Sequence, residues 1–252
     1  MNILQLLKDC VRKSQYKLNV KYVIRDGKQH PLAIICPGGG YSLVCSFVEG
    51  VPYAQWLNQK GISAVIVYYH VRKAAKYPAP QEDLARAVRE IAERADNYHV
   101  DMNHYSVWGS SAGGHLAASF GTEHMGYARY HLPKPECLVL VYPVISMRKE
   151  LTHPGSRKNL LGEDAQLEKK IFASIDEHVT SDYPRTFLWC GDADQVVQTE
   201  NSKRMDKALT KANVPHEFLI YSGAGHGIGL AKGTAAEGWI EKAVWFWLGK
   251  QT

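Results

Sequence analysis

The sequence predicts an α/β protein built on an open, mostly parallel sheet with helices on both faces. Three observations carry this. Seven short runs rich in β-branched and aromatic residues recur along the 252 residues, each bounded by Gly, Pro, Asp or Ser. Stretches with helical spacing separate most of them, the alternation that parallel β-α-β units produce. The strand cores, such as Val65-Ile66-Val67, are continuously apolar, which suits a sheet buried on both sides.

In chain order the strand-like runs are Tyr16–Ile24, Leu32–Cys36, Ala64–Tyr69, Tyr105–Trp108, Leu138–Tyr142, Thr186–Cys190 and His216–Tyr221. Between them, helical spacing is expected over Pro52–Gln59, Gln81–Tyr98, Gly113–Gly121, Thr199–Asn213 and Ala235–Leu248. In the second of these, Leu84, Val88, Ile91 and Ala95 fall on one stripe and charges fill the rest. In the last, Trp239, Ala243 and Phe246 lie three or four apart. The alternation breaks once, over residues 143–185, where one short helix, Ala165–Ile175, is expected. A stretch that long without strong periodicity reads as a functional insertion, here a short cap. Residues 1–252 otherwise read as one domain, with no internal repeat or linker.

Composition narrows the function classes. With 45% hydrophobic residues the chain is not disordered. Its net charge of +5 comes from scattered basic residues, so neither nucleic acid nor a membrane surface is an expected partner. Five cysteines, Cys10, Cys36, Cys45, Cys137 and Cys190, make an odd count without CxxC spacing. That pattern fits neither a disulfide framework nor a zinc site, and buried free thiols are expected. The stretch Met1–Tyr16 carries Lys8, Asp9, Arg12 and Lys13 and no small-residue cleavage site, so it does not read as a signal peptide. No window approaches the ~18 apolar residues of a membrane span, and a cytoplasmic location is expected.

The sharpest motif is Tyr105-Ser106-Val107-Trp108-Gly109-Ser110-Ser111-Ala112-Gly113-Gly114-His115-Leu116. An apolar strand runs into Gly-x-Ser-x-Gly and then directly into a helix. A serine on so tight a turn stands clear of the sheet, and side chains two positions either side would collide with neighbouring elements. Ser111 is therefore the candidate nucleophile, beside a helix N-terminus that favours developing negative charge. Ser110 occupies the variable position of the motif and should point elsewhere.

A serine hydroxyl needs a base, and the base needs an orienting carboxylate. Eleven histidines compete. His226 stands out because it lies among glycines, in Gly223-Ala224-Gly225-His226-Gly227, after the last strand-like run. His115 is read as packing one helical turn past the serine, and His70, His99, His104 and His153 have no comparable setting. For the carboxylate, Gly191-x-x-Asp194-x-x-Val197 favours Asp194, with Asp192 as the alternative. The fourth piece is Pro37-Gly38-Gly39-Gly40-Tyr41, at the end of an early strand. Consecutive glycines let backbone N–H groups approach a tetrahedral oxyanion, so Gly39 and Gly40, with the N–H of Ala112, are the candidate oxyanion hole. A phosphate loop is not expected, because no Lys-Ser/Thr follows and GxGxxG spacing is absent.

Together with Tyr77-Pro78-Ala79-Pro80-Gln81-Glu82-Asp83, these motifs resemble the α/β-hydrolase esterase/lipase superfamily. The resemblance runs from about residue 30 to residue 248 and is greatest to the branch of small bacterial esterases related to acetyl xylan esterases. It implies Ser111 as nucleophile, His226 as base and Asp194 as its orienter, with Gly39, Gly40 and Ala112 as oxyanion donors. The better-known lipase pattern has His before the glycines. Here Pro37 stands there, which points away from the hormone-sensitive-lipase branch, and Asn159-Leu160-Leu161-Gly162 resembles the sugar-esterase branch. The expected activity is a serine carboxylesterase acting on short acyl groups, acetyl above all, of sugars or polyols. Tyr41 and Tyr77 are the expected substrate-binding aromatics, because they follow loops near the site. No metal or organic cofactor is implied. The expected partner is a small-molecule ester, and a homodimer is left open. Two other readings compete: a serine peptidase or arylformamidase-like amidase on the same triad, and a non-catalytic ligand-binding protein on a hydrolase scaffold.

Overall fold

The computed structural model describes residues 15–249. Cys10 and most of the stretch Met1–Tyr16 lie outside them. Each strand-like run corresponds to a strand: β1 (Lys17–Tyr22), β2 (His30–Cys36), β3 (Ser63–Tyr68), β4 (Val100–Ser110), β5 (Cys137–Val141), β6 (Arg185–Gly191) and β7 (His216–Tyr221). Among the described residues they form one sheet in the order β1-β3-β2-β4-β5-β6-β7. β1 runs antiparallel to β3, and every other pairing is parallel.

Alternation along the strands divides the core in two. Leu32, Ile34, Val65, Val67, Leu138 and Leu140 point to one face, where they meet α2 (Ala79–Ala92), α3 (Ser111–Phe120) and α6 (Glu200–Lys211). Ala33, Ile35, Ala64, Ile66, Val139 and Trp189 point to the other. There they meet α1 (Val51–Gln59) and α7 (Trp239–Leu248), whose Trp239 and Trp247 pack against Trp108. Because both faces are covered, nearly every side chain of β2, β3 and β5 is buried, which is why those strands read as unbroken apolar runs.

Several boundaries move for local reasons. The expected helix Gln81–Tyr98 ends as α2 at Ala92, and a separate turn follows at Ala95–Tyr98. α7 starts at Trp239 because Gly238, at φ +83°, closes the preceding turn. β4 begins at Val100, five residues before the apolar run. Its pairing with β2 jumps from Asp101 to Tyr105 across Met102, Asn103 and His104, an irregular stretch that hid this end of the strand. The insertion holds α4 (Pro154–Leu161) and α5 (Leu167–Phe172). α5 lies within the expected Ala165–Ile175 segment, but α4 was not foreseen. It has Pro and Gly at its first two positions, and its N-cap is a histidine: the Nδ1 of His153 accepts the N–H of Ser156.

The topology places a crevice. From β2 the chain moves to β3 on one side and returns as β4 on the other, so the crossovers diverge at the C-terminal ends of β2 and β4. In open α/β sheets ligands bind at such switch points. Here Cys36 pairs with Gly109, so the triple glycine and the GxSxG turn emerge side by side.

Candidate active site

Ser111 opens α3 directly from the last residue of β4 and holds φ at +54°, in the left-handed region. A non-glycine residue there stores about 1–3 kcal/mol of backbone strain, which the packing on either side sustains. A Cβ on Gly109 would overlap the carbonyl oxygen of Gly113, and one on Gly113 would overlap that of Cys36. Both glycines are therefore required by close backbone approach. Ser110 points away, buried against α1, with Oγ 3.3 Å from the Tyr53 hydroxyl.

The loops after β6 and β7 bring the other two candidates to this turn. His226 Nε2 lies 2.8 Å from Ser111 Oγ, and Nδ1 lies 2.6 Å from Asp194 Oδ2. The other Asp194 oxygen accepts the N–H groups of Val196 and Val197 at 2.8 and 2.9 Å, which fixes the carboxylate before any substrate arrives. Its side chain is fully buried. Asp192 instead accepts the N–H of Gly223 at the exposed edge of the loop. Tyr142 packs beneath the imidazole, with ring centroids 4.8 Å apart.

Gly39, at φ +128°, and Gly40, at φ +63°, turn the chain in front of Ser111. Among the described residues, the N–H groups of Gly39, Gly40 and Ala112 enter no loop or cap hydrogen bond. They are available to an oxygen at the mouth of the turn, Ala112 as one of the unpaired donors of a helix start. A cavity of about 280 Å³ opens above them. Ser111, His226, Gly39, Gly40, Glu49, His153 and the half-exposed Val196 line it.

The two expected substrate-binding aromatics lie elsewhere. Tyr41 holds φ at +56°, which turns its ring into the core, where it is fully buried and its hydroxyl donates to His115 Nδ1 at 2.9 Å. It is a core residue. Tyr77 is half-buried, edge-on to Phe172 at 5.3 Å, and does not line the cavity. Conversely, His153 does line it, although its sequence setting gave no hint. Burial pushes its imidazole below the usual histidine range, with the His226 charge acting in the same direction. Since Nδ1 accepts a backbone N–H, the neutral ring carries its proton on Nε2. Glu49 was also missed. It is almost fully buried and follows no recognisable motif, and only the fold returns it to the triple glycine. Cys36, Cys137 and Cys190 are buried free thiols, as their apolar runs imply. No helix among the described residues is long and apolar enough to cross a membrane.

This sheet, with a serine on a strained strand-to-helix turn at its switch point, is the α/β-hydrolase fold. The chain belongs to the BD-FAE family, whose model matches residues 18–209. It is 29% identical over 228 residues to endo-1,4-beta-xylanase B of Butyrivibrio fibrisolvens, an alignment covering 86% of this chain and 35% of that protein. It is 28% identical over 199 residues to an acetylxylan esterase of Xylanibacter ruminicola, covering 77% of this chain and 40% of the other. The chain thus spans well under half the length of both relatives. The crystal structure of an acetyl ester-xyloside bifunctional hydrolase from Caldicellulosiruptor lactoaceticus superposes with a TM-score of 0.82 at 37% identity. That match covers 89% of this chain and 85% of the other.

Proposed function

We propose that the protein is a serine carboxylesterase that removes short acyl groups, acetyl above all, from sugars or other polyols. The observation that carries this reading is the hydrogen-bonded chain from Ser111 through His226 to Asp194, set beside three unengaged backbone donors. In the reaction, Ser111 Oγ attacks the ester carbonyl carbon while its proton passes to His226 Nε2. The carbonyl oxygen becomes an oxyanion held by the N–H groups of Gly39, Gly40 and Ala112. Asp194 accepts the Nδ1–H, keeps the ring in the tautomer that can receive the proton, and stabilises the imidazolium. His226 then returns the proton to the alcohol oxygen as the C–O bond breaks. Water resolves the acyl-enzyme by the same steps in reverse, releasing the acid and restoring Ser111.

Two observations support a short acyl group. The cavity of about 280 Å³ is small, and its walls carry glycines and polar side chains as well as Val196. A long-chain lipase would need an extended apolar surface. The sugar half of the reading draws on the relatives alone, since Tyr41 and Tyr77 offer no ring to stack on it.

The test is a panel of p-nitrophenyl esters from acetyl to octanoyl, acetylated xylo-oligosaccharides and aminoacyl anilides, run beside fluorophosphonate labelling. The rate should fall steeply with chain length, acetate should be released from the oligosaccharides, and labelling should vanish in Ser111→Ala. Preferred cleavage of the anilides would favour a peptidase or amidase. An unlabelled, inert protein would favour the binding-protein alternative. A preference for octanoyl or longer chains, or inertness on every acetylated sugar, would defeat the substrate claim and leave the triad standing.

A further inference from the structure

Glu49 stands outside the triad and the oxyanion loop, yet it connects them. The residue is 3% exposed and lines the cavity floor. Its Oε2 accepts the Gly38 N–H at 2.7 Å, and its Oε1 accepts the Tyr142 hydroxyl at 2.8 Å. The Tyr142 oxygen in turn accepts the N–H of Gly229 at 3.2 Å, and its ring lies against His226. Gly38 precedes the two glycines of the oxyanion loop, and Gly229 lies three residues beyond His226. One carboxylate therefore fastens the loop facing one side of the ester to the loop facing the other. The approach is close: a Cβ on Gly38 would come within 2.7 Å of Glu49 Oε2 and 2.8 Å of Ser111 Cβ.

We propose that Glu49 is a positioning residue of the esterase reaction, holding the oxyanion donors and His226 in register through Gly38 and Tyr142. A further contribution is its negative charge, which faces the imidazolium formed as Ser111 attacks. The inference rests on the serine-hydrolase reading above. A carboxylate withdrawn from water carries a desolvation penalty of several kcal/mol unless its oxygens are satisfied, and here both accept a donor. A fold that needed only a space-filler at position 49 would be served as well by an apolar side chain with apolar neighbours.

The charges around the pair are few. Burial raises the Glu49 carboxyl above its ordinary value, while Tyr142, the Gly38 N–H and the His226 charge pull it back. The hydroxyls of Tyr53 and Tyr69 and the thiol of Cys45 also lie near it, and burial raises both hydroxyls beyond the working range. Around His226 stand Asp194, Glu49 and His153. Glu49 is thus the second carboxylate bearing on the imidazole.

The experiment compares the parent, Glu49→Gln, Tyr142→Phe and the double variant. It measures kcat, KM and the pH dependence of kcat/KM on p-nitrophenyl acetate, with fluorophosphonate labelling and melting temperature as controls. Glutamine keeps the shape and can still accept from Gly38 while donating to Tyr142. We expect kcat of Glu49→Gln to fall about tenfold to a hundredfold, the worth of a hydrogen bond to a charged group, with KM within about twofold. The acid limb of kcat/KM should move to lower pH by about half a unit to one unit, because a negative charge near the imidazole is gone. Tyr142→Phe should lower kcat as well but leave the acid limb in place, because the Glu49 charge stays, and the double variant should lose less kcat than the product of the two single effects. If Glu49→Gln fails to fold, Tyr142→Phe decides by its loss of kcat at unchanged KM. A folded Glu49→Gln with parental kcat, or one whose kcat falls while the pH profile stays put, overturns the proposal, as does a folded Tyr142→Phe with parental kcat. A parent that neither labels nor turns over the ester fails at the serine-hydrolase reading and takes this inference with it. A parent that labels beside an unaffected Glu49→Gln defeats this inference alone.

Discussion

His115 sits one helical turn past Ser111, fully buried, and joins three parts of the molecule. Its Nε2 donates to the carbonyl of Ala173 in the insertion at 2.8 Å, so its Nδ1 must accept the Tyr41 hydroxyl of the oxyanion loop. Protonation would put a second N–H where Tyr41 already donates, in a site stripped of water. Burial accordingly pulls this imidazole from 6.5 down to about 4. Between these values the unfolded chain binds a proton that the native chain refuses. Stability from this group is therefore complete above pH 6.5 and is lost progressively as pH falls toward 4. A fall from 6.5 to about 4 corresponds to about 3 kcal/mol in total, and about 2 kcal/mol of it is gone by roughly pH 5. Urea unfolding of the parent and of His115→Gln, from pH 7.5 to 5, measures this directly. The substitution lowers stability at every pH, but the gap should narrow by about 2 kcal/mol toward pH 5, since glutamine does not titrate. The lowered His124 and His153 are common to both proteins and cancel in the difference. Parallel stability curves would refute the reasoning.

Ser110→Ala should keep both turnover and fluorophosphonate labelling, because Ser110 faces Tyr53 on the far side of the turn; comparable losses in Ser110→Ala and Ser111→Ala would mean the turn is misassigned. Asp194→Asn should lower kcat by several orders of magnitude, about 10⁴ in the serine-protease template, with little change in stability. A silent Asp194→Asn beside a crippling Asp192→Asn would transfer the role to Asp192. Gly113→Ala should lower stability by at least about 3 kcal/mol in urea unfolding, since its new Cβ meets the carbonyls of Cys36 and Pro37, both backbone atoms; a parental midpoint would show that β2 can move aside.

What could be read from the chain depended on how local its cause was. The GxSxG turn, the triple glycine and the glycine-rich histidine loop announce themselves because close backbone approach admits only certain residues at fixed offsets. β2, β3 and β5 were legible because burial on both faces leaves few polar positions to blur them. Glu49 was illegible for the opposite reason. Its partners Gly38 and Tyr142 lie 11 and 93 residues away, and nothing in Ser46-Phe47-Val48-Glu49 marks it. His153 was hidden by its place at the cap of a short helix with weak periodicity. Tyr41 was misplaced because its position suggested the cleft, whereas its left-handed backbone sends the ring into the core.

The insertion is stitched to the cleft. Asn159 Nδ2 donates to Gly40 O at 2.9 Å and to Ser42 Oγ at 2.7 Å, and the Tyr77 N–H donates to Leu160 O at 2.9 Å. On the proposed reading, α4 cannot swing away from this loop without breaking hydrogen bonds to the segment that would hold the oxyanion. An oil–water boundary that displaced α4 would therefore disturb the same loop. On the proposed esterase reading, turnover should saturate with dissolved ester, without the lag or sudden rise that emulsified substrates induce in enzymes with movable covers.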